Sequence, residues 1–205
     1  MIRKGGAESG GGCPEKPAKR ASAMKNLAVE AILQATAEVF STRGENASMA
    51  EIAEVSGVAR ATLYRYFPNR ERLLDSLMES ALFDLKNGIC QADIGSVELY
   101  EVVARFTRVL FNLSSKYIYL ARSNIAKERI DEFKLAVKPV LERFESAQQD
   151  GLIRQDIPAD ICFGFYLGVT RSASRMLLEG DELLEDKVTQ VTKFVLGALL
   201  SSSIV

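Results

Sequence analysis

The sequence of 205 residues contains no histidine and no tryptophan. Without histidine, the commonest general base, the commonest metal ligand and the Ser-His and Cys-His nucleophile pairs are all missing. Cysteine is scarce: Cys13, Cys90 and Cys162 lie far apart and form no CxxC pair. That argues against a disulfide framework and against a zinc site. Long apolar runs are lacking too. "ICFGFYLGV" (Ile161 to Val169) is about half of the roughly 20 residues that a helix needs to span a bilayer. The opening stretch "MIRKGGAESGGGCPEKPAKR" holds no apolar signal core, so a cytoplasmic protein is expected. Neither a paired-carboxylate motif nor a phosphate-binding loop is found. No enzyme activity, catalytic residue, metal or cofactor is therefore expected.

What is present is ordinary for a globular chain: 47% hydrophobic and 26% charged residues. The charge is unevenly placed. Residues 1–72 carry 11 Lys and Arg against 8 Asp and Glu, and the remainder carries 15 against 19. A small basic head on an acidic body suits local contact with a polyanion. Residues 1–22, rich in Gly, Pro, Ala and charge, read as a disordered basic arm. Beyond them apolar residues recur every three or four positions, and β-branched alternation is absent. The expectation is an all-α protein of about nine helices. A helix-turn-helix domain is expected over 23–68 and a larger helical domain for effector binding and dimerisation over 69–205.

The first helix is expected over about Lys25 to Arg43, on the stripe Ala28, Ile32, Ala35 and Val39, with Gly44 ending it. Ser48-Met49-Ala50-Glu51 is a capping-box pattern that opens a short second helix. Gly57 permits a tight turn into a third, about Ala59 to Phe67. Asn69 is placed to cap a long fourth helix. With Leu63 turned inward, Ala61 and Arg65 point outward and Thr62 and Tyr64 flank them. This small, cationic, hydroxyl and phenolic face suits a helix pushed into the DNA major groove. Arg60 and Arg70 stand at its ends, facing the flanking backbone.

Here a family resemblance becomes specific. "SMAEIAEVSGVARATLYRYFPNRERLL", preceded by "AILQATAEVFSTRG", resembles the N-terminal domain of the TetR family of transcriptional regulators, over about Asn26 to Leu74. The resemblance implies a dimer whose N-terminal helices bind operator DNA and whose helical body binds a small molecule that alters that affinity. It places Thr62, Tyr64 and Tyr66 where the family contacts phosphates and base edges, and Arg70 where a phosphate-binding lysine is usual. Ser48, opening the motif, completes the expected contact set. Ala59 stands where Ser or Thr is more usual, which removes a helix cap. The basic arm residues Lys16, Lys19 and Arg20 are either a minor-groove reach or an inert tail.

A heptad-like seam, Leu184, Val188, Val191, Val195 and Ala198, runs along the last helix, and the helix before it carries Phe163, Gly164, Leu167 and Gly168. These residues are expected to form a two-fold, four-helix dimer interface. An apolar or aromatic effector is expected among the central helices, against Phe106, Tyr117, Phe144 and Tyr166, with Asn112 and Arg122 as polar anchors. The leading reading is a repressor released from a palindromic operator by that effector. A DNA-binding architectural or cell-division protein on the same fold is the alternative. A ligand carrier is the third, and it would have no use for the exposed Ala61, Thr62 and Arg65 face.

Overall fold

The computed structural model describes residues 17–44, 47–116, 118, 129–180 and 183–200. Eight named helices run through them: α1 (Pro17–Arg43), α2 (Met49–Ser56), α3 (Arg60–Tyr66), α4 (Arg70–Gln91), α5 (Leu99–Asn112), α6 (Ile130–Gln149), α7 (Ala159–Glu179) and α8 (Leu184–Leu199). A further helical turn covers 114–116 and 118. The sole sheet-like contact among the described residues is an isolated antiparallel bridge between Ile153 and Leu200. No described helix is long and apolar enough to cross a membrane.

α1 starts at Pro17, inside the stretch expected to be a disordered arm. The proline has no N–H to leave unsatisfied at a first turn, and the Ala, Lys and Arg that follow are good helix formers. Lys19 and Arg20 are therefore helical, while Lys16 lies outside the described residues. Gly44 ends the helix in the left-handed conformation, at φ 66°. In α6, Pro139 lies within an unbroken helix, and Gly151, at φ 72°, follows its end.

The chain builds two separate hydrophobic cores. The first is made by α1, α2, α3 and the first half of α4, through Ile32, Phe40, Ile52, Leu63, Leu73, Leu77 and Leu82. It does not stop at residue 68, because α4 supplies a full stripe to it. The second core joins the rest of α4, from Leu85, to α5, α6, α7 and α8. Phe133 packs against both. Gln148 braces the link from α6 to α7. Its amide donates to the carbonyls of Arg154 and Ile157, at 2.7 and 2.8 Å, and its Oε1 accepts from the Ala159 N–H.

Candidate nucleic-acid interface

The head is assembled by local chemistry. Ser48 caps α2: its hydroxyl accepts from the Glu51 N–H at 3.3 Å, and Glu51 Oε2 accepts from the Ser48 N–H at 2.9 Å. The Ser48 hydroxyl also donates to Glu51 Oε2 at 2.9 Å, and Arg43 pairs with Glu51 Oε1. The Ser48 N–H and hydroxyl, followed by Arg43, hold the Glu51 carboxyl below its ordinary range. Gly57 then turns the chain at φ 69°, where a side chain would be strained, and donates to the Glu54 carbonyl. Ala59 opens α3 with no side-chain cap. Asn69 caps α4 by accepting from the Arg72 N–H at 2.9 Å.

α3 is anchored by Leu63, which is fully buried, and by the burial of Phe67 just past its end. Arg60, Ala61, Tyr64 and Arg65 are exposed, and Thr62 is half-buried. Tyr66 is half-buried against the head core. The Arg65 guanidinium sits 5.0 Å from the Tyr66 ring centre and donates to its hydroxyl at 3.3 Å. Arg70 lies 4.9 Å from the centre of the buried Phe40 ring, a cation–π contact that fixes its stem beside the head. Ser48 is exposed, but its hydroxyl is already committed to the cap. Of the eight residues expected at DNA, Ser48, Arg60, Ala61, Tyr64 and Arg65 are exposed and Thr62, Tyr66 and Arg70 are half-buried.

The expected effector residues fare differently. Phe106, Phe144 and Tyr166 are fully buried and interlock with Phe163 at ring-centre separations of 5.4 to 6.2 Å. The Tyr166 hydroxyl is spoken for by Thr107 Oγ1 at 2.8 Å and the Val103 carbonyl at 3.1 Å. Among the described residues these rings pack on one another, and Tyr166 also borders a small hollow between α7 and α8. Tyr117 and Arg122 lie outside the described residues. Asn112 is exposed and lines an open groove of ≈ 500 Å³ between α4 and α5, with Asp84, Asn87, Gln91, Arg105 and Arg108.

The expected dimer seam is also revised. Val188, Val191 and Val195 on α8, and Phe163 on α7, are buried in the chain's own second core. Leu167 and Leu184 are half-buried against that core. Gly164 and Ala198 are exposed, and a Cβ at Gly164 or Gly168 would meet nothing within 4 Å. The outward stripe consists of other residues. Ile161, Phe165 (63% exposed) and Met176 stand on α7, and Phe194 (65% exposed) stands on α8. Periodicity singled out the valines because they are the more regular stripe. It could not tell an intrachain partner from an interchain one. Aromatic residues flanked by Gly164, Gly168 and Gly197 were the available signal for the outward face.

A capped second helix, a glycine turn and an exposed third helix on a separate small core form a helix-turn-helix head. Comparison with known proteins narrows this. Residues 32–77 match the profile of bacterial regulatory proteins of the tetR family. The HTH-type transcriptional regulator LuxR of Vibrio harveyi is 28% identical over 103 residues, covering 50% of this chain and 49% of that protein. The chain thus spans about half the length of that relative. The HTH-type transcriptional repressor KstR2 of Rhodococcus jostii is 25% identical over 186 residues, covering 83% and 90% of the two chains. The fold is also that of the TetR-like regulator LfrR of Mycobacterium smegmatis, solved in complex with proflavine. That structure has a TM-score of 0.64 at 19% identity, covering 85% of this chain and 98% of that one. Residues 32–77 thus resemble the tetR-family DNA-binding domain, and the chain shares the fold of TetR-like regulators.

Proposed function

We propose that the protein is a homodimeric repressor whose two heads read a palindromic operator, and that a small molecule in the body releases it. The exposed face of α3 carries this reading. Ala61 lets the backbone approach a base edge, and Arg65 offers a fork for guanine or phosphate. Thr62, Tyr64, Tyr66, Arg60 and Arg70 surround that point with phosphate donors. The outward stripe of Ile161, Phe165, Met176 and Phe194 supports dimerisation through α7 and α8. A hollow of ≈ 160 Å³ between Phe165 and Phe194, reaching Tyr166 and Cys162, gives a partner side chain somewhere to seat. Two heads held by such a bundle would meet half-sites at a fixed spacing.

For the effector, Phe106, Phe144 and Tyr166 are packed ring to ring, and the Tyr166 hydroxyl is already bonded to Thr107 and Val103. The groove between α4 and α5 offers carboxamides, guanidinium groups and a strip of Gly88, Ala92, Val109 and Leu113. It suits an amphipathic effector with hydrogen-bonding edges. The test is titration of the full-length protein onto DNA from upstream of its own gene, beside a scrambled duplex, at several salt concentrations. Saturable, sequence-dependent binding with a steep salt slope is expected. Arg65→Ala should reduce it by about 1–3 kcal/mol, the worth of a bidentate base contact. Equal weak binding to both duplexes would favour the architectural alternative. Unchanged specific binding in both Arg65→Ala and Tyr64→Phe would remove α3 as the reader.

A further inference from the structure

Lys116, in the turn that follows α5, is a lysine where the environment disfavours one. Its side chain is 6% exposed, and lysines are almost never buried unless paired. All three of its N–H groups have an acceptor. Nζ donates to Asp84 Oδ2 at 2.6 Å, to Ser80 Oγ at 3.0 Å and to Glu30 Oε1 at 3.2 Å. Burial works against the charge, but Asp84 and Glu30 outweigh it and hold the ammonium above its ordinary value.

The three acceptors come from two helices with different loyalties. Glu30 is on α1, which belongs to the head. Ser80 and Asp84 are on α4, at the point where that helix passes from one core to the other. Leu82 is its last residue in the head core and Leu85 its first in the body core. Lys116 itself follows Leu113, which packs against the body core. Asp84 additionally walls the groove between α4 and α5.

We propose that Lys116 is an ionic latch that sets the angle of the head on the body. A shift of the turn after α5 against α4 is then delivered to α1, and through the shared head core to α3. Apolar contacts at this seam could slide with little change in energy. A buried ammonium resists this, because leaving Asp84 would strand its charge and swinging from Glu30 would give up an acceptor on α1. The seam therefore favours discrete positions over a continuum, which is what a regulatory joint needs. A molecule in the groove would act directly on Asp84, the shortest of the three bonds. This inference rests on α3 being the DNA reader, since it concerns how that reader is regulated.

The test uses the full-length protein and two variants. Glu30→Ala cuts only the head end of the latch and leaves Lys116 paired to Asp84. Lys116→Met removes the charge and keeps most of the volume. Hydrogen exchange, followed by mass spectrometry without DNA, should quicken severalfold in α1 to α3 of both variants and stay at wild-type rates in α5 to α8. Specific DNA affinity should change on the order of 5-fold or more, the low end of ordinary site-to-site coupling, with non-specific affinity unaltered. Exchange at wild-type rates in the heads of both variants would overturn the latch. Faster exchange spread evenly over both cores would do so too, by making Lys116 a general contributor to stability. If Lys116→Met fails to fold, Glu30→Ala still decides. If the wild-type protein binds no DNA specifically, the reading of α3 fails, while the exchange pattern still decides the latch.

Discussion

Ser48 and Lys116 show why some residues announce their role in a sequence and others do not. The Ser48–Glu51 box spans three positions, so a local pattern contains both partners. Lys116 meets residues 86, 36 and 32 positions away, and no window along the chain holds them together. The same contrast separates Asn69, whose capping role is visible beside Arg72, from Arg65, whose stacking on Tyr66 depends on a side-chain rotamer. The box gives a prediction at this scale. Ser48→Ala should cost about 1 kcal/mol of stability, as other lost N-caps do. Glu51 titrates below its ordinary value, with Ser48 and Arg43 facing it. Its contribution is therefore present above the ordinary carboxylate range and is lost as pH falls through the lowered value. Thermal melts of Glu51→Gln should show a shallower loss of stability on the acid side than the wild type. An identical acid limb would mean that the box adds nothing in solution.

Among the elements, α8 carries the plainest lesson. Its regular valine spacing shows that one face must meet apolar surface, and that much was legible. Whose surface it meets was not, because α5 and α7 of the same chain present faces as apolar as a second copy would. The ring cluster of Phe106, Phe144 and Tyr166 poses a related question. Aromatic content shows what lines an interior but says nothing of whether a void remains between the rings. Helix approach at α4 and α5 is set by one residue. A Cβ at Gly88 would lie 2.6 Å from Val109 Cγ1. Valine is stiff at χ1 in a helix and cannot swing that methyl aside, so the helices would have to part. Gly88→Ala should therefore destabilise by about 1–3 kcal/mol despite alanine's better helix propensity. Denaturant melts should show Val109→Ala rescuing most of that loss in the double variant. A stabilised single variant would refute the close approach.

At the scale of the molecule, the all-α class and the head were legible because capping, turn and helix periodicity agree over one continuous stretch. The assembly was less so, since it depends on which faces remain after the chain has packed on itself. Phe165 and Phe194 are among the faces left exposed. For the proposed dimer, Phe194→Glu is expected to give monomer in sedimentation velocity, because the interface would then bring two carboxylates together. Specific DNA binding should fall with it, because half-sites would then be bound one at a time. A dimer of unchanged stability would move the interface off α7 and α8.

The sharing of α4 between two cores also limits how such a chain can be recombined. A hybrid joined at residue 68 would carry the first three helices without Leu73, Leu77, Met78, Ala81 and Leu82, and would leave their sockets in Ile32, Ile52 and Leu63 unfilled. Joining after Leu82 keeps that packing but severs α4 between Ser80 and Asp84, the two residues that receive Lys116. A cut after Asp84 keeps both on the head side but parts them from Lys116, which stays with the body. The recognition end of this protein and the part that governs it are therefore not interchangeable modules on a neutral spacer. They are two parts that must be inherited, or engineered, together with the helix they share.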